Sequence, residues 1–387
     1  MNTPMALRRD GIGLYLHIPF CERRCRFCAF VARGYRDDLA VAFVADLLKE
    51  IELAGDAGLV RGRRVETLYF GGGTPTTLSS QQLLAVLDAC RRRVNVAPSA
   101  EITVEANPST VDLPGLRALI EGGFNRISFG AQSFDDAELE AAGTPHRARD
   151  IASAVRSARE AGCANVNLDL IYGLPGQSPA RWLANLEGAM ALEPDHLSFY
   201  GLTLEERTQF HKTNKRGRLT LLDEDAMAGL YDMGRERLNA AGYLQYEVSN
   251  FARPGYACRH NLGYWTDREW LGLGPSAHSY LDGDRFRNVE SLSEYHRLVE
   301  GGLAPIAERE TGTPELRVRE AVAFGLRTVG GVRLGALRRR YHLDPVARVR
   351  EPIARLSREG WLVLDGQVLR PSARGLAMAD ELAVALL

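Results

Sequence analysis

LYLHIPFCERRCRFCAF, Leu14 to Phe30, joins an apolar β-rich run to a loop that carries Cys21, Cys25 and Cys28. Three thiols within eight residues are more than a disulfide needs and one fewer than closes a zinc site. The odd number suggests a metal that keeps one coordination position open. Zinc could recruit a fourth ligand, and His17 is near enough in sequence to serve. A [4Fe–4S] cluster accounts for the spacing better, because three irons take cysteine and the fourth stays free for a chelating ligand. The chain has six cysteines in 387 residues, half of them in this loop, which is not a disulfide framework.

From Leu14 to about Leu202, short β-rich runs alternate with amphipathic stretches. The runs are LYLHI (14–18), ETLYFGG (66–72), EITVEAN (101–107), RISFGAQ (126–132), NVNLDLIYG (165–173) and HLSFYGL (196–202). Between them, segments such as LAVAFVADLLKEIELAG repeat apolar residues at helical spacing, and Ser79 or Ser80 is placed to cap SSQQLLAVLDACRRR. Six such units in series predict a parallel sheet with helices on its outer face. Six is short of the eight that close a TIM barrel, so the expected fold is α/β, a partial (β/α)6 barrel. Chemistry in such folds gathers where strands end, and the cysteine loop, GGGTPT (71–76), Glu105, Gln132 and Asp169 all sit at or near strand ends.

Beyond Leu204 the pattern changes. A helical segment, LDEDAMAGLYDMGRERLNAAG, leads into an aromatic, glycine-rich stretch that contains CRHNLGYW (258–265). The last part ends LSREGWLVLDGQVLRPSARG, a helix followed by two short strands around Asp365-Gly366. The expected division is a core over 1–205, an α+β extension over 206–310 and a small winged-helix-like domain over 311–387. A net charge of −1 and the lack of an aromatic-basic patch argue against nucleic acid as partner, so the terminal domain reads as a packing or dimerisation module. The basic run Leu337–Arg340 reads as a solvated helix face. No segment offers the ~18 apolar residues of a membrane span, and MNTPMALRRD has no apolar signal region, so the expected location is the cytoplasm.

The cysteine spacing, with Phe27 before the last cysteine, resembles the radical S-adenosylmethionine (SAM) superfamily. The resemblance implies that the free iron binds SAM and that an electron from the cluster cleaves it to a 5′-deoxyadenosyl radical. It also implies a SAM site built from Gly72, Gly73 and Thr74, whose glycines let backbone come close to a ligand, and from Tyr15, Phe27, Glu105, Gln132 and Asp169. Taken alone, each of these polar residues could equally cap a helix or hold a loop.

YLHIPFC, GGGTPT, EANP, RISFGAQSF and DLIYGLPGQ resemble the group that contains oxygen-independent coproporphyrinogen III dehydrogenase, over roughly Leu14 to Arg370. Three features favour the haem-chaperone members of that group. Phe30 stands where the dehydrogenase pattern has a fourth cysteine; the first strand begins almost at the start; and His260, Asn261, Tyr264 and Trp265 match an element associated with haem binding. His260 could then supply imidazole to haem iron, with Tyr264 and Trp265 against the porphyrin. The segment is expected to form one wall of a cleft over the sheet edge where cluster and SAM sit. A buried aromatic cluster is the plainer alternative; Cys258, His278 and His146 are lesser ligand candidates, and Cys90 and Cys163 are expected on apolar helix faces.

Two positions depart from the family pattern. Ala29 stands where family members usually have an aspartate, and Thr144 where they tend to have an arginine whose loss puts in doubt a polar contact near the SAM carboxylate or a second ligand. The implied function is binding of a [4Fe–4S] cluster, SAM and haem, with transfer of haem to acceptor proteins. The implied partners are those acceptors, some of them at membranes, an electron donor or iron–sulfur assembly proteins, and a second copy of the chain. The competing reading is an enzyme: coproporphyrinogen III decarboxylation, methyl transfer or porphyrin ring opening.

Overall fold

A computed structural model describes residues 11–387; MNTPMALRRD, read above for a targeting signal, lies outside the described residues. Six parallel strands follow one another in the sheet: β1 (Gly11–Ile18), β2 (Arg64–Gly72), β3 (Asn95–Ala106), β4 (Arg126–Gln132), β5 (Val166–Tyr172) and β6 (His196–Gly201). Helices connect them, beginning with α1 (Asp37–Asp56), α2 (Ser80–Arg93) and α3 (Leu113–Glu121). Ser79 caps α2 in a full capping box with Gln82.

The two faces of these strands differ in chemistry because side chains alternate along a strand. Leu14, Leu16, Ile18, Leu68, Phe70, Ile102, Val104, Ile127, Phe129, Leu168 and Leu170 form one continuous apolar core beneath the helices. The alternate positions face inward in rows across the strands. Gly13, Thr67 and Glu101 make one row, Tyr15, Tyr69, Thr103 and Arg126 the next, and Glu105, Ser128, Asn167 and His196 a third. The partial barrel therefore has a dry outer layer and a polar interior.

The strand series holds more than the six expected. After α4 (Asp136–Ala142), α5 (Ala148–Glu160), α6 (Pro179–Met190) and α7 (Glu224–Ala240), the short β7 (Asn250–Ala252) pairs antiparallel with β6. Helix α8 (Arg259–Trp265) follows, and β8 (Trp270–Leu273) then pairs parallel with β1 on its free side. The antiparallel strands β9 (His278–Leu281), β10 (Asp284–Asn288) and β11 (Ile306–Thr311) extend the sheet from there, with α9 (Leu292–Glu300) packed on α1. β8 has four residues, two of them in a glycine-rich run, and too little periodicity to announce a strand; pairing with β1 makes it one.

A second apolar core gathers Val318, Leu326, Leu337, Ile353, Leu369 and Leu382. Helices α10 (Pro314–Gly325), α11 (Leu334–Tyr341) and α12 (Arg350–Arg358) surround a small antiparallel sheet of Val332–Arg333, Val368–Pro371 and Leu362–Asp365. In α11, Leu337 is buried and Arg338, Arg339 and Arg340 are not, although Arg340 reaches Asp267. Cys90 is buried on α2 as expected, but Cys163 is in the turn after α5, where its thiol donates to Asn165 O. Among the described residues no helix is long and apolar enough to cross a membrane.

Candidate functional site

The cysteine loop leaves β1 at the C-terminal edge of the sheet and is tied down at both ends. At its root, His17 is buried. Its Nε2–H donates to Val31 O (3.0 Å), because a carbonyl can only accept, so Nδ1 accepts from the Tyr15 hydroxyl (3.2 Å). Both ring nitrogens are thus engaged, and His17 holds the loop instead of offering a fourth ligand. Farther along, Arg26 N–H donates to Ala142 O and Arg26 O accepts from Phe210 N–H, while Phe27 packs with Ala142, Ile171, Leu174 and Leu202. The loop consequently spans the mouth of the barrel from β1 towards the end of β5.

Cys21, Cys25 and Cys28 are half-buried and free of disulfides, and Thr74 Oγ1 lies 3.6 Å from Cys21 Sγ. Burial pushes all three thiols up, Cys25 to about 12, with repulsion from Cys28 and Cys21 adding to it. Thiols held neutral this way release protons when a metal binds.

The glycines of GGGTPT make room for the chain itself. A Cβ on Gly73 would lie 2.4 Å from Phe20 O, and one on Gly72, whose φ is +110°, would lie 2.6 Å from the His17 ring. These two residues seat the cysteine loop against β2. Gly72 N–H also donates to Glu105 Oε2 (3.1 Å), and Tyr69 donates to Oε1 (2.8 Å). Burial nonetheless raises the Glu105 pKa to about 7. Asp169 accepts from Ser128 (3.0 Å) and Asn167 (2.9 Å).

Gln132 differs from its neighbours. It has a φ of +59° at a bulge in β4, and its Oε1 is buried without a partner. Thr103 Oγ1 and the Nε and Nη1 of the buried Arg126 are likewise unpaired on inward positions, whereas Tyr200, also inward, keeps 42% of its surface open. A barrel whose inner face is open at Tyr200 and carries unpaired polar atoms, Gln132 at the mouth and Thr103 and Arg126 deeper in, is suited to a polar ligand. Three neighbouring thiols would suit a [4Fe–4S] cluster with one open position, and the polar inner face would suit its chelating ligand. Thr144 is turned away, buried with its hydroxyl on the carbonyls of Leu139 and His146, and Ala29 is exposed on the loop.

CRHNLGYW is not in the cleft wall that the sequence suggests. It forms α8, docked at the N-terminal ends of the strands: Arg259 N–H (2.9 Å), His260 N–H (3.0 Å) and the Cys258 thiol (3.4 Å) all donate to Glu101. His260 is buried, with Nδ1 2.8 Å from Thr67 Oγ1 and Nε2 2.8 Å from the Tyr264 hydroxyl. Its ring stacks on Tyr69 at 5.0 Å, and burial lowers its pKa to about 3. Thr67 pairs with Gly13, five residues before the end of β1 at Ile18, which places His260 about 16 Å below the mouth at ~3.3 Å per residue. Tyr264 meets Trp270 edge-on, Trp265 lies under Arg327, and Asn261 is half-buried. Intra-chain packing has taken up both ring nitrogens of His260 and the Tyr264 hydroxyl, as in the plainer alternative of a buried aromatic cluster, while the buried Trp265 Nε1 has no partner.

Residues 15–187 match the Radical SAM superfamily and residues 313–378 the HemN C-terminal domain. The chain is 35% identical to the heme chaperone HemW of Bacillus subtilis over 82% of this chain and 84% of that one. With HemW of Escherichia coli it shares 38% over 72% and 74% of the two chains. The chain belongs to the HemW family of radical SAM proteins. A mouse relative in the family, mitochondrial Radical S-adenosyl methionine domain-containing protein 1, is 36% identical over 97% of this chain and 87% of its own. The solved coproporphyrinogen III oxidase HemN of E. coli, described as a radical SAM enzyme, superposes with a TM-score of 0.84 over 97% of this chain and 90% of that one, at 25% identity.

Proposed function

We propose that the protein is a haem chaperone that holds a [4Fe–4S] cluster on Cys21, Cys25 and Cys28, binds SAM beneath it, and takes up haem for delivery to acceptor haemoproteins. The observation that carries the reading is identity of 35–38% to named heme chaperones over most of the chain, joined to a half-buried three-thiol loop over the open mouth of a polar barrel. A cluster on those thiols supplies one-electron chemistry with SAM as its chelating ligand. The chain's own groups do the positioning. His17, Gly72 and Gly73 fix the loop, while Tyr15, Thr74, Glu105, Gln132 and Asp169 line the space below it. We assign the working divisions 1–205 to cluster and SAM, 206–310 to haem, and 311–387 to packing or pairing of chains. The proposed setting is the cytoplasm, with acceptors and an electron donor or cluster-assembly protein as partners.

The enzyme reading draws on the fold shared with HemN. Against it, Phe30, 64% exposed, stands where the dehydrogenase pattern has a fourth cysteine. One anaerobic experiment separates the two. Reconstituted protein is given SAM, dithionite and coproporphyrinogen III, and in parallel is loaded with haem and mixed with an apo-haemoprotein. Haem appearing in the acceptor with coproporphyrinogen unchanged supports the chaperone; decarboxylated product overturns it.

A further inference from the structure

We infer that His278, not His260, is the side chain that ligates haem iron, an assignment that rests on the haem-binding reading above. Of the eight histidines, most have their nitrogens committed or enclosed. His17, His196 and His260 use both ring nitrogens in hydrogen bonds, and His146 and His211 each bury an unpartnered one. His296 gives Nδ1 to Asp46 on the outer face, and His342, exposed like His278, caps α11 in the C-terminal helical unit and not on the barrel sheet. His278 is exposed, and among the described residues its ring makes no hydrogen bond.

Its position follows from strand register. β8 runs parallel to β1, with Trp270 beside Gly13 and Gly272 beside Tyr15, so Trp270 and Gly272 share the inward face. β9 turns back antiparallel with Tyr280 opposite Trp270, and the two rings lie 5.5 Å apart. His278, two residues before Tyr280, is on that same inward face at the end of the sheet from which the cysteine loop departs. The turn between is clamped. Gly274 (φ +94°) comes so close to β1 that a Cβ would lie 2.5 Å from His17 O, and its N–H donates to the buried Glu50 (2.6 Å). Asn288 ties Glu50 and Gly274 O together (2.7 and 2.9 Å). The imidazole is thereby held at the root of the cysteine loop, next to the strand that carries His17.

The surroundings suit a metalloporphyrin. Arg287 is directly across the strand pair from His278, and Arg207 comes from the segment after β6; both pair with Glu290, and Arg287 also with Glu308, so haem propionates at this rim would exchange with those carboxylates for two guanidiniums. Phe30, exposed and adjacent to the Val31 carbonyl that His17 holds, offers apolar surface at the same rim. Burial and Arg287 lower the His278 pKa, which favours the neutral ring that binds iron.

The test is hemin titration into the cluster-reconstituted protein, read by the Soret band and by electron paramagnetic resonance of the haem iron. His278→Ala should weaken binding by about tenfold or more and change the spectrum, and added imidazole should restore the parent spectrum by filling the vacated position. His278→Met should replace the parent signature with that of a thioether ligand. Thr67→Val, which removes a partner of His260 without emptying the core, should leave the spectrum unchanged. Parent-like haem spectra and affinity in both His278 variants would overturn the assignment while leaving haem binding intact. If the parent gives no protein-bound haem spectrum, the haem-binding reading fails and the assignment with it.

Discussion

Glu101 shows how much one buried carboxylate can organise. It is 8% exposed, and three donors from the start of α8 converge on its two oxygens. Truncation leaves those donors facing an apolar gap, and each unsatisfied buried donor costs about 1–3 kcal/mol. Glu101→Ala should therefore lower unfolding stability by about 2–4 kcal/mol in urea titrations, with Glu101→Gln losing less. At the site, Gln132 is the residue whose geometry asks for a ligand, since its strained backbone and unpaired Oε1 have no counterpart in Glu105 or Asp169. Gln132→Ala should weaken SAM binding in calorimetric titration of reconstituted protein without loss of stability. Equal affinity in the variant would remove Gln132 from the site. The triple Cys→Ala variant should hold no cluster, by iron and sulfide analysis; retention of a full cluster would place its ligands elsewhere.

At the scale of elements, the β2 turn and the cysteine loop form one unit, because the glycines of the former are spaces for the latter. A methyl on Gly73 meets a backbone oxygen, which cannot swing aside as a side chain can. Gly73→Ala should therefore destabilise the fold by about 1–3 kcal/mol and lower the iron retained per chain, even though no thiol is touched. Gly71→Ala is the control. Its added Cβ would lie 3.0 Å from both the Glu105 carboxylate and the Tyr69 ring, side chains that can give by a few tenths of an ångström, so it should disturb SAM binding more than the cluster. The turn at Gly274 works alike, since its glycine allows β8 to close against His17.

Across the whole molecule, two buried carboxylates, Glu105 inside the barrel and Glu50 on α1 outside it, have a cost that depends on pH. Burial raises both Glu50 and Glu105 to about 7, well above the usual carboxylate range. The folded chain then keeps protons that the unfolded chain has released, so the stability contributed by these groups is present below the unfolded pKa and is lost as pH rises towards 7. Urea midpoints measured under reducing conditions should fall between about pH 5 and pH 7, and Glu105→Gln should flatten that slope. An unchanged slope would mean that Glu105 titrates normally. The C-terminal core meets the barrel through Phe324 and Ala321 beside Tyr264, Trp270 and Tyr280 and through Asp267, which accepts from Tyr341 (2.8 Å) and pairs with Arg340 (3.2 Å); because Asp267 is nearly buried, salt should weaken that hold only slightly.

Local periodicity made the serial strands and their order legible, because alternating β runs and amphipathic helices record which face each residue buries. The cysteine spacing and the family resemblance were equally local, as they depend on residues a few positions apart. What sequence could not decide was anything that depended on two distant segments meeting. Whether HNLGYW faces a ligand or the core depended on Glu101 and Thr67, which come from strands more than a hundred residues away. Likewise, β8 is a strand only because β1 has a free edge. The reason that glycine is required is the His17 ring at Gly72 and the Phe20 backbone at Gly73, and nothing in GGGTPT itself reports either. Spacing fixed which side chains were available; tertiary packing determined which remain free to bind.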